Sequence, residues 1–234
     1  LAVTSSTSVV GVAVGEVDAS RAGAGGGGAG ETAAGRVLAF DQVGTDRRHA
    51  EELTPLIATT LARAGVGIAD VEQYVVDVGP GRFTGLRVGL ATVRALALAG
   101  PRPVIGLTSL EILAGAEREG PVLAVVDARR AEVFQQRFPA PTGGESGPAM
   151  VGRPEDLAPD PEEADREGLV IVGDGADRYC RLYGPRVRPG RAPSAATMLT
   201  LAAGRAARPG PEVRPVYLRE PDVNVAFSTR SETR

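Results

Sequence analysis

The sequence predicts an α/β protein of two lobes, each a mixed sheet with flanking helices. Three observations carry this. The periodic segments run as three strands, then helix, strand, helix, strand, helix, then a second strand-led half. An antiparallel meander followed by alternating helices and strands builds a mixed sheet with helices packed on it. The hydrophobic share is 43% but the aromatic share only 4%, so the core is aliphatic. At 234 residues the chain suits one large domain or two small ones.

The elements follow in order. Residues 2–17 read as two strands around the turn Ser5-Ser6-Thr7-Ser8. Residues 19–35 are a low-complexity Gly/Ala stretch, expected to be a flexible hairpin tip. Arg36 to Val43 is a third strand. Arg48 to Ala64 is a helix, with Leu53, Leu56, Ile57, Thr60, Leu61 and Ala64 at helical spacing and Gly65 as its stop. Val71 to Val78 is a buried strand. Gly79-Pro80-Gly81 turns the chain, and Thr84 is the expected cap of a second helix, 85–99. Arg102 to Leu107 is a fifth strand, and Thr108 or Ser109 caps a third helix, 109–119. In the second half, Val122–Asp127 and Glu132–Phe138 form a hairpin. Residues 139–168 are weakly specified. Leu169–Val172 is a strand, 176–183 a helix, 184–193 a Pro/Arg linker and Ala195–Ala207 a final helix. This predicts an N-terminal lobe over 1–108, a C-terminal lobe over 109–220 that includes the final helix, and a polar tail over 221–234.

Composition excludes several chemistries. All 26 basic residues are Arg; there is one His, one Cys and no Trp. Without Lys there is no Schiff-base or PLP site and no GK[ST] phosphate loop. A single Cys excludes an internal disulfide and a CxxC site. The Arg-only usage reads as codon bias. The net charge of -3 argues against nucleic-acid binding by this chain alone. No apolar run reaches the roughly 18–20 residues that span a membrane. The opening Leu1-Ala2-Val3-Thr4 reads as a strand rather than a signal peptide, so a cytoplasmic location is expected.

The sharpest local pattern is Gly79-Pro80-Gly81-Arg82-Phe83-Thr84-Gly85-Leu86-Arg87-Val88-Gly89, between a buried strand and a helix. Two readings fit it. One is an anion or nucleotide site on Gly79, Gly81, Thr84 and Gly85, where free helix N–H groups meet the positive end of the dipole. The other is a tight turn whose glycines serve packing. The helix beyond is apolar or small on nearly every face, so it is buried on two sides, by its own chain or by another subunit. The subunit contact is the preferred reading. His49 has Leu53 four residues on, so a helical metal-ligand pair is absent and a partly exposed capping or interface role is expected. Asp127-Ala128-Arg129-Arg130 is a hairpin tip, either solvated or facing a ligand. Gly173-Asp174-Gly175 reads as a packing turn and Cys180 as a structural thiol.

Taken together, these residues resemble the TsaB (YeaZ) family. The Gly79–Gly89 block is its signature. Arg48-His49-Ala50-Glu51, Asp127-Ala128-Arg129-Arg130-Ala131-Glu132-Val133, Gly173-Asp174-Gly175 and Pro215-Val216-Tyr217-Leu218-Arg219 corroborate it. The resemblance implies two RNase H-like lobes of the actin/Hsp70-like (ASKHA) type. It implies a non-catalytic scaffold that partners a TsaD-like catalytic subunit and a TsaE-like ATPase in threonylcarbamoyl transfer to adenosine 37 of tRNA. In isolation such proteins form homodimers, through the helices at 48–64 and 85–99. On this reading no cofactor or metal is intrinsic, ATP or ADP is a candidate at the partner boundary, and tRNA is met only through the complex. His49, Leu53, Leu86, Arg87, Leu90, Val93 and Arg94 are the expected partner interface. A Leu90→Arg change is expected to abolish complex formation and spare the fold. The sequence departs from the family pattern at Thr4, where relatives carry Asp, and at Arg82, where they carry Ser. The alternative is a self-sufficient ATP-dependent phosphoryl or carbamoyl transferase, against which the missing Lys, Thr4 and the lone His all argue.

Overall fold

The computed structural model describes residues 1–17, 36–45, 48–139 and 145–219. The Gly/Ala stretch 19–35 and the tail 221–234 lie outside the described residues. Two mixed sheets organise the chain. The first contains β1 (Ala2–Thr4), β2 (Val9–Glu16), β3 (Arg36–Gly44), β4 (Tyr74–Asp77), β5 (Pro103–Leu107) and β11 (Arg208–Pro209), in the order β11-β5-β4-β1-β2-β3. The second contains β6 (Val122–Arg129), β7 (Glu132–Phe138), β8 (Met150–Gly152), β9 (Val170–Val172) and β10 (Val187–Arg188), in the order β10-β9-β6-β7-β8. In both sheets a leading strand pairs antiparallel with the next and parallel with the fourth. The layout of the first lobe is thus repeated in the second, which is the two-lobed RNase H-like arrangement.

Strand alternation sorts side chains to the two faces of the first sheet. Val3, Val12 and Val76 point to the face covered by α1 (His49–Ala64) and α2 (Phe83–Ala99), where they pack with Leu53, Ile57, Leu90 and Val93. Ala2, Ala13, Val75 and Ile105 point the other way. They are covered by α8 (Ala195–Ala202) through Ala195, Met198 and Leu199. In the second sheet, α3 (Ser109–Gly115) covers one face with Leu110 and Leu113. Ala164, Ala176 and Tyr183 cover the other.

Several expectations need correction. The final helix is not part of the C-terminal lobe: α8 ends at Ala202, packs on the first sheet and leads to β11 on that sheet's edge. Its apolar residues find an uncovered face there, while both faces of the second sheet are already covered. Thr84 does not cap the second helix. The helix begins at Phe83, and its cap position is Arg82, without a side-chain hydrogen bond. Thr108 caps α3 in a reciprocal pair with Glu111, the Thr108 hydroxyl accepting from the Glu111 amide at 3.1 Å and the Glu111 carboxylate from the Thr108 amide at 2.8 Å. The fourth strand is shorter than expected, and the helix at 176–183 is two short turns, α6 (Asp174–Arg178) and α7 (Cys180–Tyr183). The weakly specified stretch holds β8, α4 (Pro154–Leu157) and α5 (Pro161–Arg166), and the linker holds β10. Val216–Leu218 runs beside the first sheet without forming a strand, its Val216 amide donating to Val78 O at 2.8 Å.

Candidate functional site

The turn after β1 is sealed beneath the helix pair. Ser5, Ser6 and Thr7 are all buried. The Arg82 amide donates to Ser6 O at 2.6 Å, and the Ser5 hydroxyl donates to Gly85 O at 2.8 Å. A Cβ at Gly81 would lie 2.2 Å from Ser6 O, and one at Gly85 2.1 Å from Ser5 O. Only glycine permits that approach. Packing therefore accounts for glycine at 81 and 85, and Thr84 is exposed.

His49 is buried, not partly exposed. Its Nε2–H donates to Thr7 O at 2.8 Å, because a carbonyl can only accept. The imidazole thus closes the same turn from the α1 side. Leu53, one helical turn on, is fully buried in the core. Leu86, Leu90 and Val93 are likewise at most 3% exposed. Their expected role as apolar partner contacts is corrected: they meet the chain's own interior, and Leu90→Arg would attack the fold. Arg94 donates to Val213 O and so ties the returning C-terminal segment to α2. Arg87 is exposed, its guanidinium 3.6 Å above the Phe83 ring.

The residue that sequence reasoning passed over is Asp77. It ends β4 and is 3% exposed. Its carboxylate accepts from Thr4 (2.7 Å), Ser6 (2.5 Å), Ser109 (2.6 Å) and the Gly79 amide (2.9 Å). Burial pushes its pKa above the ordinary carboxylate value, and the hydrogen bonds from Ser109, Ser6, Gly79 and Thr4 pull it back only in part. These partners join β1, the following turn, the Gly79 turn and the start of α3, which leads into the second lobe. The available signal was one Asp closing an otherwise apolar strand, on the neighbour of the strand that ends in Thr4.

Between the lobes lies a crevice of about 420 Å³. Its first-lobe wall is Pro80–Phe83 with Leu86 and Arg87; its second-lobe wall is Asp127–Arg130 with Phe134; Val216–Arg219 forms the third side. The hairpin tip thus faces the crevice, with Arg129, Arg130 and Ala131 all at positive φ (63°, 55° and 58°). Asp127 is buried and paired with Arg129 at 3.7 Å and Arg178 at 3.3 Å. Its amide donates to Asp174 at 2.9 Å. Burial raises the Asp174 pKa and the nearby Asp127 charge adds to it; the Asp127 amide, Arg82 and Arg129 oppose the rise. Cys180 is an exposed free thiol. Among the described residues no cluster of three or more His, Cys, Asp or Glu is placed to hold a metal ion. Nor is any described helix long and apolar enough to cross a membrane.

This geometry has close counterparts. A family model described as tRNA N6-adenosine threonylcarbamoyltransferase, TsaD, matches residues 44–140. A stretch of 188 residues is 38% identical to an uncharacterized protein of Mycobacterium tuberculosis (strain ATCC 25618 / H37Rv), spanning 80% of this chain and 82% of the relative. Another of 96 residues is 34% identical to tRNA threonylcarbamoyladenosine biosynthesis protein TsaB of Escherichia coli (strain K12), spanning 39% of this chain and 42% of that relative. The solved structure of YeaZ from Pseudomonas aeruginosa superposes with a TM-score of 0.71 at 26% identity, covering 93% of this chain and 98% of that one. With 93% of the chain aligned to the YeaZ structure and part of it 34% identical to TsaB, the chain is TsaB/YeaZ-like.

Proposed function

We propose that the chain acts in making threonylcarbamoyladenosine on tRNA, as a non-catalytic scaffold that docks a TsaD-like catalytic subunit. The observation that carries this is the exposed face of α1 and α2. The inner residues of both helices are taken up by the core, yet several of the exposed ones are small or apolar, Ala50, Thr54 and Ala58 on α1 and Ala91, Ala95 and Leu98 on α2, beside the exposed charges Glu51, Arg63 and Arg87. Leu98 is 74% exposed. Small side chains let a second helix pair approach closely, and an exposed apolar stripe gains from being covered. The scaffold reading is supported at the turn after β1 as well. That turn is closed by Gly81, Gly85 and His49, so it offers no open backbone cradle for phosphate.

In this reading the same face pairs two copies of the chain when the catalytic subunit is absent. A TsaE-like ATPase joins the complex, tRNA is met through it in the cytoplasm, and ATP or ADP binds at the subunit boundary. The test is reconstitution of threonylcarbamoyl transfer with a TsaD-like subunit, with and without this chain, and with Ala91→Arg and Ala95→Arg variants. Transfer is expected to need the chain and to fall at least tenfold in both variants at unchanged melting temperature, about 1.4 kcal/mol of lost docking. Full transfer without the chain, or with both variants, refutes the scaffold role.

A further inference from the structure

We infer that the C-terminal segment Val213–Arg219 is a releasable clasp that sets the separation of the two lobes, with the Arg219 guanidinium as its catch. The inference concerns this chain alone and does not rest on the partner proposed above.

The route of the chain is the first argument. The links from β5 to α3 and from β10 to α8 are passages between the lobes that the order of elements requires. The run after β11 is a third passage that no described element requires, since β11 already lies on the first sheet. Its foot is in the first lobe. Val213 is buried in the core beneath α1 and α2, and its carbonyl accepts from Arg94. The Val216 amide donates to Val78 O, and the Tyr217 ring stands 5.7 Å from that of Phe83. Its head is in the second lobe. Leu218 packs against the cluster that holds Leu110, Leu113 and Phe134. The Arg219 guanidinium donates to Ala128 O at 3.3 Å, pairs with Glu132 and lies 6.0 Å over the Phe134 ring. The segment therefore changes lobe between Tyr217 and Leu218, along one side of the crevice.

The unequal grip of the two ends is the second argument. Val213 is 6% exposed, whereas the Arg219 and Glu132 side chains are 28% and 34% exposed. An ion pair this open to water holds weakly and is screened by salt. Leu218 is itself only half-buried. Release therefore starts at Arg219, while Val213 stays anchored.

What the catch holds is the third. Ala128 and Glu132 flank Arg129-Arg130-Ala131, the three consecutive residues at positive φ. Arg219 grips both ends of this reversal. Non-glycine residues keep such a conformation only where their surroundings hold it. Letting go of Arg219 frees the tip together with the lobe. The chain then has two arrangements, clasped with the tip held and unclasped with the tip relaxed, and one guanidinium sets the balance between them.

The test is pulsed electron–electron double resonance on the full chain, spin-labelled at two sites. One is the native Cys180, exposed in the second lobe; the other is Gln42→Cys, exposed on β3 of the first. Dilution into excess unlabelled chain restricts the reading to distances within one molecule. The labelled parent is expected to give one dominant distance. Arg219→Ala is expected to raise the population at other distances about fivefold or more, and Glu132→Gln to do the same to a smaller extent. In the parent, NaCl at about 1 M, where the screening length is about 3 Å, is expected to act in the same direction. Arg137→Ala is the control, because its pair with Glu167 lies wholly within the second lobe and is about as exposed. Melting temperature checks that each variant stays folded. A single unchanged distance in both Arg219→Ala and Glu132→Gln, or the same broadening in Arg137→Ala, would overturn the proposal. Partner-dependent transfer is read in a separate assay, so failure here leaves the scaffold reading standing.

Discussion

Asp77 gives the strongest leverage on this architecture. Replacing it with Ala removes the common acceptor of Thr4, Ser6, Ser109 and the Gly79 amide. The hydroxyls can turn toward one another, since Ser6 and Ser109 already sit 2.9 Å apart. The Gly79 amide has no such freedom. A buried donor without a partner costs about 1–3 kcal/mol, and each lost bond to a charged group about 1.5–3. With partial re-pairing the loss comes to ~4 kcal/mol, or ~8–16 °C in melting temperature for a chain of this size. Asp77→Asn keeps an acceptor and removes the buried charge, so it should stay within about 1.5 kcal/mol of the parent at neutral pH. The two differ in pH dependence. Because the folded pKa of Asp77 is raised, the folded state takes up its proton more readily than the unfolded state. Its favourable contribution is full below the ordinary value of about 3.9 and is lost as pH rises through the folded pKa. Urea unfolding at a series of pH values should therefore show the parent gaining on Asp77→Asn as the pH is lowered from neutral toward 4. A parent that loses ground on acidification, or an Asp77→Ala variant within 1 kcal/mol of the parent, would refute the reasoning.

Three further outcomes follow from the packing. Gly85→Ala forces a methyl to within 2.1 Å of Ser5 O and 2.8 Å of His49 Cδ2 and should cost about 3 kcal/mol or more, read as a lowered urea midpoint. Leu90→Arg buries a guanidinium at a position 3% exposed, and near-UV circular dichroism should show loss of native packing rather than a folded chain deficient only in docking. Glu117→Gln removes the carboxylate that Arg188 and Arg191 approach at 2.5 and 3.2 Å. Because both arginines are about half exposed, the loss should be only ~1–2 kcal/mol, and high salt should narrow it.

Much of the fold was legible because alternation and helical spacing are local. Val3 against Ala2, and Val12 against Ala13, already assign two faces to the first sheet. The homing of α8 was not legible, since nothing local to Ala195–Ala202 says which sheet lacks a cover. Asp160-Pro161-Glu162-Glu163 did carry a helix start, with the Asp160 side chain accepting from both Glu amides, but a six-residue helix leaves little periodicity behind it. The apolar girth of α2 admitted two explanations: Leu86, Leu90 and Val93 enter the chain's own core, while Ala91, Ala95 and Leu98 are exposed. Asp77 escaped because its hydroxyl partners lie 73, 71 and 32 residues away in sequence, so no spacing rule reaches them. The hairpin tip was singled out beforehand, but its facing wall of arginines came together only with the two lobes in place.

The return of α8 to the first sheet bears on how the chain is made. A ribosome releases β1 to β5 early, yet Ala2, Ala13, Val75 and Ile105 stay bare until Met198 and Leu199 have emerged. Domains commonly fold in the order of synthesis. Here the second lobe, all of whose strands precede α8, can pair its sheet while the first still waits with one apolar face open, and Leu218 joins its core later. A nascent chain stalled near residue 190 should therefore be held by chaperones at the open face of its first sheet, which Met198 and Leu199 have yet to close.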